Sequence, residues 1–432
     1  MTERSLPDWL AYLEQLHPTA IDMGLDRVRQ VAERMGLRRP AGRVVTVTGT
    51  NGKGSTCAFL AELLLGQGLR VGVYASPHLL RYNERVVIDR QQATDAELCA
   101  AFAVVESARQ EISLTYFEMG TLAAFWLFQQ AALDFAVLEV GLGGRLDAVN
   151  LIDADLAIVT SIALDHADWL GDTRESVAVE KAGIFRPGIP VVCGDLDPPA
   201  VLLQQAAVLA APFYLRGRDF DLALTPAGWH WQGLDRAGQV RELHDLPLLD
   251  LPLENAALAL QAFSLLDLGW QPAQLSLALQ RTRLSGRLER HSLEFQGKRL
   301  SLLLDVGHNP HACEFLARRL RETPLAGRRL AVFGLLADKD LAGVVQAIQA
   351  EISQWAVTAL PSPRSRSALE LHDELLKAGV QASRHGSIGE ALEAQCRQAA
   401  EGDEVLVFGS FYCVAEALAW LAQRGAGNGC TG

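Results

Sequence analysis

The chain has 432 residues, 49% of them hydrophobic and 21% charged, with a net charge of −12. That length is too great for one compact core and predicts two or three globular domains, and the composition excludes a disordered chain. The acidic balance argues against general nucleic-acid or anionic-membrane binding, so an anionic substrate needs a local basic pocket.

The first eight residues are polar and lack the apolar region of a signal peptide, and no uncharged stretch reaches the roughly 20 residues of a membrane span. A cytoplasmic protein is expected. Cys57, Cys99, Cys193, Cys313, Cys396, Cys413 and Cys430 are odd in number and contain no C-x-x-C pair. They read as reduced thiols, with no zinc signature.

Amphipathic segments at 9–16 and 25–35 open the chain. The apolar run Val44, Val45, Thr46, Val47 then feeds Gly49-Thr50-Asn51-Gly52-Lys53-Gly54-Ser55-Thr56. A strand entering such a turn makes a phosphate cradle. Glycines let backbone N–H groups converge on phosphate oxygens, Lys53 adds positive charge, and Ser55 or Thr56 can ligate Mg²⁺ at the start of the next helix. The usual pattern G-x-x-x-x-G-K-[ST] places the hydroxyl directly after the lysine, whereas Gly54 intervenes here. An ordinary glycine-rich turn is the alternative, and the flanking strand and helix patterns weigh against it.

Lysine usage is a second hint, since only Lys53, Lys181, Lys298, Lys339 and Lys377 are lysines among 39 basic residues. A retained lysine is a candidate for work a guanidinium cannot do: a compact charge, or a primary amine open to modification. Codon bias explains the scarcity but not the placement of Lys53 and Lys181.

Further strands are predicted at 70–74, 135–140, 156–160 and 190–193, with helices at 57–65, 95–111, 118–131 and 174–183. This alternation predicts a mostly parallel sheet covered by helices. Segment 214–246, with short alternating runs around Trp229 and Trp231, reads as an antiparallel β appendage. Helices follow at 253–268 and 272–280. A connector at 284–288 leads to a second series: strands 300–304, 329–333, 354–358 and 404–408, and helices 311–321, 341–350, 368–378 and 414–421. The expected architecture is α/β, with a nucleotide-binding domain over 1–286 and a smaller Rossmann-like domain over 287–432.

Glu139 ends an apolar strand ahead of Gly141-Leu142-Gly143-Gly144-Arg145-Leu146-Asp147. Ligands bind at that edge of open parallel sheets, so Glu139 is a candidate Mg²⁺ ligand, with Asp147 as a neighbour for substrate or metal; a structural salt bridge is the alternative. Asp165-His166 ends another strand at the same edge, where His166 is either a ligand or a satisfied interior group. Asp305 and His308 occupy a strand-to-helix turn ahead of Pro310, as do Gly409 and Ser410 further on. Each fits a nucleotide contact or an ordinary helix cap.

Taken in order, Gly49 to Ser55, Ser76-Pro77-His78-Leu79, Phe117-Glu118, Glu139 to Asp147, Asp165-His166, Glu180-Lys181-Ala182-Gly183, Gly286-Arg287, Asp305 to Pro310 and Gly409-Ser410 resemble the folylpolyglutamate synthases of the Mur ligase superfamily. The segments Ile21 to Leu25 and Leu114 to Glu118 resemble those of the bifunctional members that also act as dihydrofolate synthases. The resemblance implies a Mur ligase-like central domain and several roles. Thr50, Asn51, Gly52, Lys53, Gly54 and Ser55 would hold ATP phosphates, with Asn255, Arg287 and Asp305 as further ATP contacts. Ser76 and Glu139 would bind one Mg²⁺ and His166 a second, near a carbamylated Lys181. Asp22, Met23, Gly24, Leu25, Thr115, Tyr116, Phe117, Glu118, Leu146, Asp147 and Ala148 would contact the pterin. The family's Asp-Ala-Thr-Asn reads Asp147-Ala148-Val149-Asn150 here, which removes one hydroxyl.

The implied chemistry is ATP-dependent ligation. A carboxylate of dihydropteroate or a reduced folate attacks the γ-phosphate, and the amine of L-glutamate displaces phosphate from the acyl phosphate. Closure of the second domain would exclude water. A monomer is expected. A muramyl-peptide ligase would carry a large domain ahead of the loop, where 48 residues stand. A monofunctional folylpolyglutamate synthase is the remaining enzymatic alternative. A nucleotide switch needs the loop but not Glu139, Lys181 and Asp305 together, and the guanine-reading N-K-x-D pattern is missing.

Overall fold

The computed structural model describes residues 4–323 and 325–424. Cys430 and the glycine-rich tail lie outside the described residues. The chain divides into two compact units, Met1–Arg283 and Leu284–Gly432.

The first unit is built on eight strands: β1 (Ala41–Thr48), β2 (Val71–Tyr74), β3 (Val86–Ile88), β4 (Gln91–Gln92), β5 (Leu133–Glu139), β6 (Leu156–Val159), β7 (Val191–Cys193) and β8 (Phe213–Leu215). Their order is β4-β3-β2-β5-β1-β6-β7-β8, parallel from β2 to β8 and antiparallel at β3 and β4. The central strands are continuous apolar runs because helices cover both faces; Val44, Val45 and Val47 are fully buried. Since β5 flanks β1 on one side and β6 on the other, connections diverge at β1 and open a crevice beyond its C-terminal end. Thr94, Thr115 and Thr173 close capping boxes that start the helices Asp95–Arg109, Tyr116–Ala131 and Arg174–Ala182.

The appendage is a three-stranded antiparallel sheet of β9 (Asp221–Thr225), β10 (Gly228–Leu234) and β11 (Val240–Leu246). It is anchored by Trp231, whose Nε1 donates to the Ala257 carbonyl at 3.1 Å. The segment predicted to open it is corrected at its start, since Tyr214 belongs to β8 and pairs parallel with Val192 at the edge of the main sheet. The helix predicted over 253–268 ends at Ser264.

The second unit holds β12 (Glu289–Phe295), β13 (Lys298–Leu304), β14 (Arg329–Phe333), β15 (Gln354–Thr358), β16 (Ala382–His385) and β17 (Glu404–Phe408) in the order β12-β13-β17-β14-β15-β16. All pairs are parallel except the β12–β13 hairpin, whose turn residues Gln296 and Gly297 both have positive φ, at 52° and 76°. Its core centres on Phe333, Trp355 and Phe408. Among the described residues no helix is long and apolar enough to cross a membrane.

Candidate active site

The turn after β1 has the backbone its glycines suggest. Gly49 has φ of 147° and Gly52 of 87°; a Cβ at Gly49 would run into Thr160 Oγ1, and one at Gly52 would lie 2.6 Å from Asn255 Oδ1. The turn is strapped to the residues following β6. Thr50 N donates to the Ser161 carbonyl at 2.8 Å, Asn51 N to Ser161 Oγ at 3.1 Å, Thr160 Oγ1 to the Asn51 carbonyl at 2.6 Å, and Thr50 Oγ1 to the Ala163 carbonyl at 2.9 Å. Lys53 Nζ lies on the loop, donating to the carbonyls of Gly49 at 3.0 Å and Thr50 at 3.3 Å. Asn255 Nδ2 donates to Ser55 Oγ at 2.7 Å, so this residue from a distant helix meets the helix N-terminus beneath the loop. Of the two candidate hydroxyls, Thr56 Oγ1 is buried with no hydrogen-bond partner, whereas Ser55 Oγ sits among the polar groups of the turn.

The carboxyl edge of the sheet gathers the charged groups. Tyr74 of β2 pairs with Leu138 of β5, so Ser76 and the buried Glu139 leave neighbouring strands side by side. Asp147 is buried, and its two oxygens accept from Leu142 N at 2.8 Å and Val149 N at 2.9 Å. Burial pushes its pKa up to about 6, against the lowering effect of those amides and of Lys53. The run after Glu139 docks on the end of the Arg174–Ala182 helix: Arg145 N donates to the Glu180 carbonyl at 2.8 Å, and Asn150 Nδ2 to the Gly183 carbonyl at 3.1 Å. In the same helix Lys181 is 4% exposed. Burial, then the Lys53 charge, drives the Lys181 pKa down to about 7, with Asp165 and Asp147 opposing. His166 is exposed and has φ of 53°, and its backbone N donates to Asp165 Oδ1 at 2.9 Å.

The two segments expected to meet the pterin are cross-linked. Arg27 donates through Nη1 to Asp22 Oδ2 at 2.6 Å and through Nη2 to Glu118 Oε1 at 3.0 Å, and His17 Nε2 lies 3.2 Å from Asp22 Oδ2. Glu118 also closes its own helix, accepting from Thr115 N at 2.7 Å. Phe117 packs over Gly141, where a Cβ would come within 2.7 Å of its ring, and Met23 lies over Gly143. Tyr116 stands edge-on to Tyr82, with ring centres 5.7 Å apart.

In the second unit Asp305 is buried and accepts from Leu288 N at 3.0 Å and Gly307 N at 2.7 Å, and burial raises its pKa against the nearby Arg287 charge. Arg287 lies over the Phe411 ring at 5.0 Å. Asn309 Oδ1 and Ser410 Oγ each accept a helix N–H, so both are caps.

Two family models match: Mur ligase middle domain over residues 47–192, and Mur ligase, glutamate ligase domain over 286–411. The dihydrofolate synthase/folylpolyglutamate synthase of Escherichia coli (strain K12) is 43% identical over 423 residues, covering 98% of this chain and 97% of that protein. The chain belongs to the dihydrofolate synthase/folylpolyglutamate synthase family. Among solved structures, Escherichia coli FolC in complex with DHPP and ADP superposes with a TM-score of 0.92 at 43% identity, covering 98% and 99% of the two chains. The bifunctional enzyme of Yersinia pestis with AMPPNP and Mn ion gives 0.90 at 46%, covering 97% and 98%.

For a synthase of this family, the sequence locates the loop, Ser76, Glu139, Asp147 and Lys181, and the structure brings them to one sheet edge. Sequence reading misses Thr160 and Ser161, which hold the loop, and Arg27 and His17, which tie the two pterin segments. Thr160 and Ser161 had one signal, their place directly after a strand that flanks β1. Arg27 had none, because Glu118 is 91 residues away.

Proposed function

We propose that the chain joins L-glutamate to dihydropteroate and adds further glutamates to tetrahydrofolates, each time by activating a carboxylate with ATP. The observation that carries this reading is the strapped glycine turn, with Asn255 Nδ2 on Ser55 Oγ at 2.7 Å, at the sheet edge that holds the buried Glu139 and Asp147, together with a buried Lys181 amine whose proton burial loosens. A primary amine in that state adds to CO₂: the N–C bond forms, the nitrogen's proton leaves to solvent, and a carbamate anion results. The change of sign turns the Lys53 charge from a repulsion on the protonated amine into an attraction for the carbamate.

Residues 50–55 and Asn255 are proposed to hold the ATP phosphates, and Arg287 and Asp305 are the second unit's proposed ATP contacts. Ser76 and Glu139 fit one divalent ion and His166 a second, with Lys181 carbamate alongside. Among the described residues no three His, Cys, Asp or Glu side chains gather closely enough to hold an ion alone. Such a partial set of oxygen donors suits Mg²⁺, which keeps waters and draws ligands from nucleotide phosphates. When bound, the ion supplies charge neutralisation on the transferring phosphoryl group. Lys53 adds to it from the loop, Asp147 keeps the 141–147 turn in shape through its backbone bonds, and the 22–25, 115–118 and 146–148 segments orient the pterin. The attacking carboxylate takes the γ-phosphoryl group and ADP leaves; the glutamate amine then displaces phosphate to form the amide. In this reading the enzyme is a cytoplasmic monomer.

Lys53→Ala is expected to cut ATP-dependent product at least about 100-fold with an unchanged circular dichroism spectrum. Near-normal turnover in that variant removes the loop from the mechanism. Assaying glutamate addition to dihydropteroate and, separately, to tetrahydrofolate tests the two activities. Product with tetrahydrofolate alone reduces the assignment to a monofunctional enzyme.

A further inference from the structure

We propose that Arg85 binds the substrate carboxylate that is activated, forking onto the aryl carboxylate of the pteroyl acid. This rests on the reading above that Ser76 belongs to the metal edge and Tyr116 to the pterin segment.

Arg85 ends the short helical turn Tyr82–Arg85 that leads into β3. Its carbonyl accepts from Ala75 N at 3.0 Å, which pins it beside the residue preceding Ser76. Its Nε donates to His78 Nδ1 at 2.8 Å, so one edge of the guanidinium grips the Ser76-Pro77-His78 turn. Its central carbon lies over the Tyr82 ring of its own turn at 5.2 Å and, in the other segment, over the Tyr116 ring at 5.4 Å. One half-buried cation thus spans the junction between the two regions. The reacting carboxylate of a pteroyl acid has to lie at such a junction, with its pterin on one side and the γ-phosphate on the other.

Arg85 also lacks a counter-charge of its own. The adjacent acid, Glu84, is engaged elsewhere, its oxygens accepting from the backbone N–H groups of Leu79 at 2.7 Å, Leu80 at 2.8 Å and Arg81 at 2.7 Å. Among the described residues no carboxylate forms an ion pair with Arg85. A half-buried guanidinium held between two aromatic rings and by a single neutral acceptor retains donors in the geometry that matches a carboxylate in two parallel hydrogen bonds. Pairing there would orient the carboxylate and offset its repulsion from the triphosphate.

The test is calorimetric binding of two compounds to the full chain: dihydropteroate, and the same pterin–aniline skeleton without its carboxylate. The natural protein is expected to prefer dihydropteroate about tenfold or more. Arg85→Met, which keeps an apolar stem between the tyrosines, is expected to bind the decarboxylated compound within about twofold of the natural protein and to lose the preference. A full preference retained in Arg85→Met overturns the proposal, and so does an equal weakening of both compounds, which marks a structural role. If Arg85→Met does not fold, Arg85→Lys decides: a preference cut at least about threefold supports the proposal, and an unchanged one overturns it. Failure of the natural protein to bind either compound overturns the pterin-acid reading itself, a result distinct from the failure of Arg85.

Discussion

Lys181 depends more than its neighbours on where the fold puts it. In the unfolded chain the amine keeps its proton up to about its ordinary value of 10.5, whereas burial in the native protein releases it at about 7. Between these values the unfolded state binds more protons, so the unmodified protein gains stability as pH rises through that window. The same shift governs reactivity, because only the neutral amine adds to CO₂. After dialysis against CO₂-free buffer, bicarbonate is expected to restore turnover at about pH 8 but not at about pH 6. Equal recovery at both, or no loss on dialysis, argues against the carbamate. Lys181→Arg keeps a cation but cannot form the adduct in the same way, and turnover is expected to fall at least about 100-fold. Asp147 shifts the other way. Its native carboxyl holds a proton to about 6 and its unfolded one only to 3.8, so the native state binds more protons in between and stability falls as pH rises through that range. Urea unfolding across that range is expected to show the slope in the natural protein and its loss in Asp147→Asn; a slope that survives belongs to another group.

The loop between β1 and the Lys53–Gly66 helix shows why some elements are legible in sequence. Gly49 and Gly52 stand where φ is strongly positive and where Thr160 and Asn255 leave no room for a Cβ, so backbone demand and residue type coincide. Gly49→Ala is therefore expected to weaken binding of an ATP analogue at least about tenfold and to cost about 1–3 kcal/mol of stability, read by calorimetry and denaturant unfolding. Unchanged affinity places the nucleotide elsewhere. The central strands are equally legible, since burial on both faces requires continuous apolar runs. β12, which reads Glu-Arg-His-Ser-Leu-Glu-Phe, is not: its polar positions hide a hairpin that becomes clear only when β13 pairs with it. The edge strand β16 escapes because it is short and polar, whereas the helix Ile388–Gln398 does carry a start signal that goes unread, Gly386-Ser387, with Ser387 Oγ accepting from Glu390 N at 3.2 Å. At the site, residues tied to a turn or strand end are legible. Asn255 on Ser55 comes from the resemblance alone, and Arg27 on Glu118 from neither, because local pattern carries no record of a partner that only tertiary packing supplies.

Each of the two units carries its own aromatic and aliphatic core, and this governs how the molecule unfolds. In Met1–Arg283 the fully buried Phe128 lies in the cluster that joins β1 and β5 to the helices over them. In Leu284–Gly432 Trp355 is fully buried, with its ring centre 5.5 Å from that of Phe333 and 5.6 Å from that of Phe408. Truncating either leaves a cavity that close-packed neighbours fill only in part, at about 3–5 kcal/mol each. The indole Nε1 of Trp355 is buried with no hydrogen-bond partner, so Trp355→Phe forfeits ring volume but no polar contact and is expected to cost less than Trp355→Ala. Scanning calorimetry is expected to resolve two transitions, Phe128→Ala lowering one and Trp355→Ala the other, because a chain with two cores need not unfold in one cooperative step. A single transition displaced equally by both substitutions would show that the two cores stand or fall together.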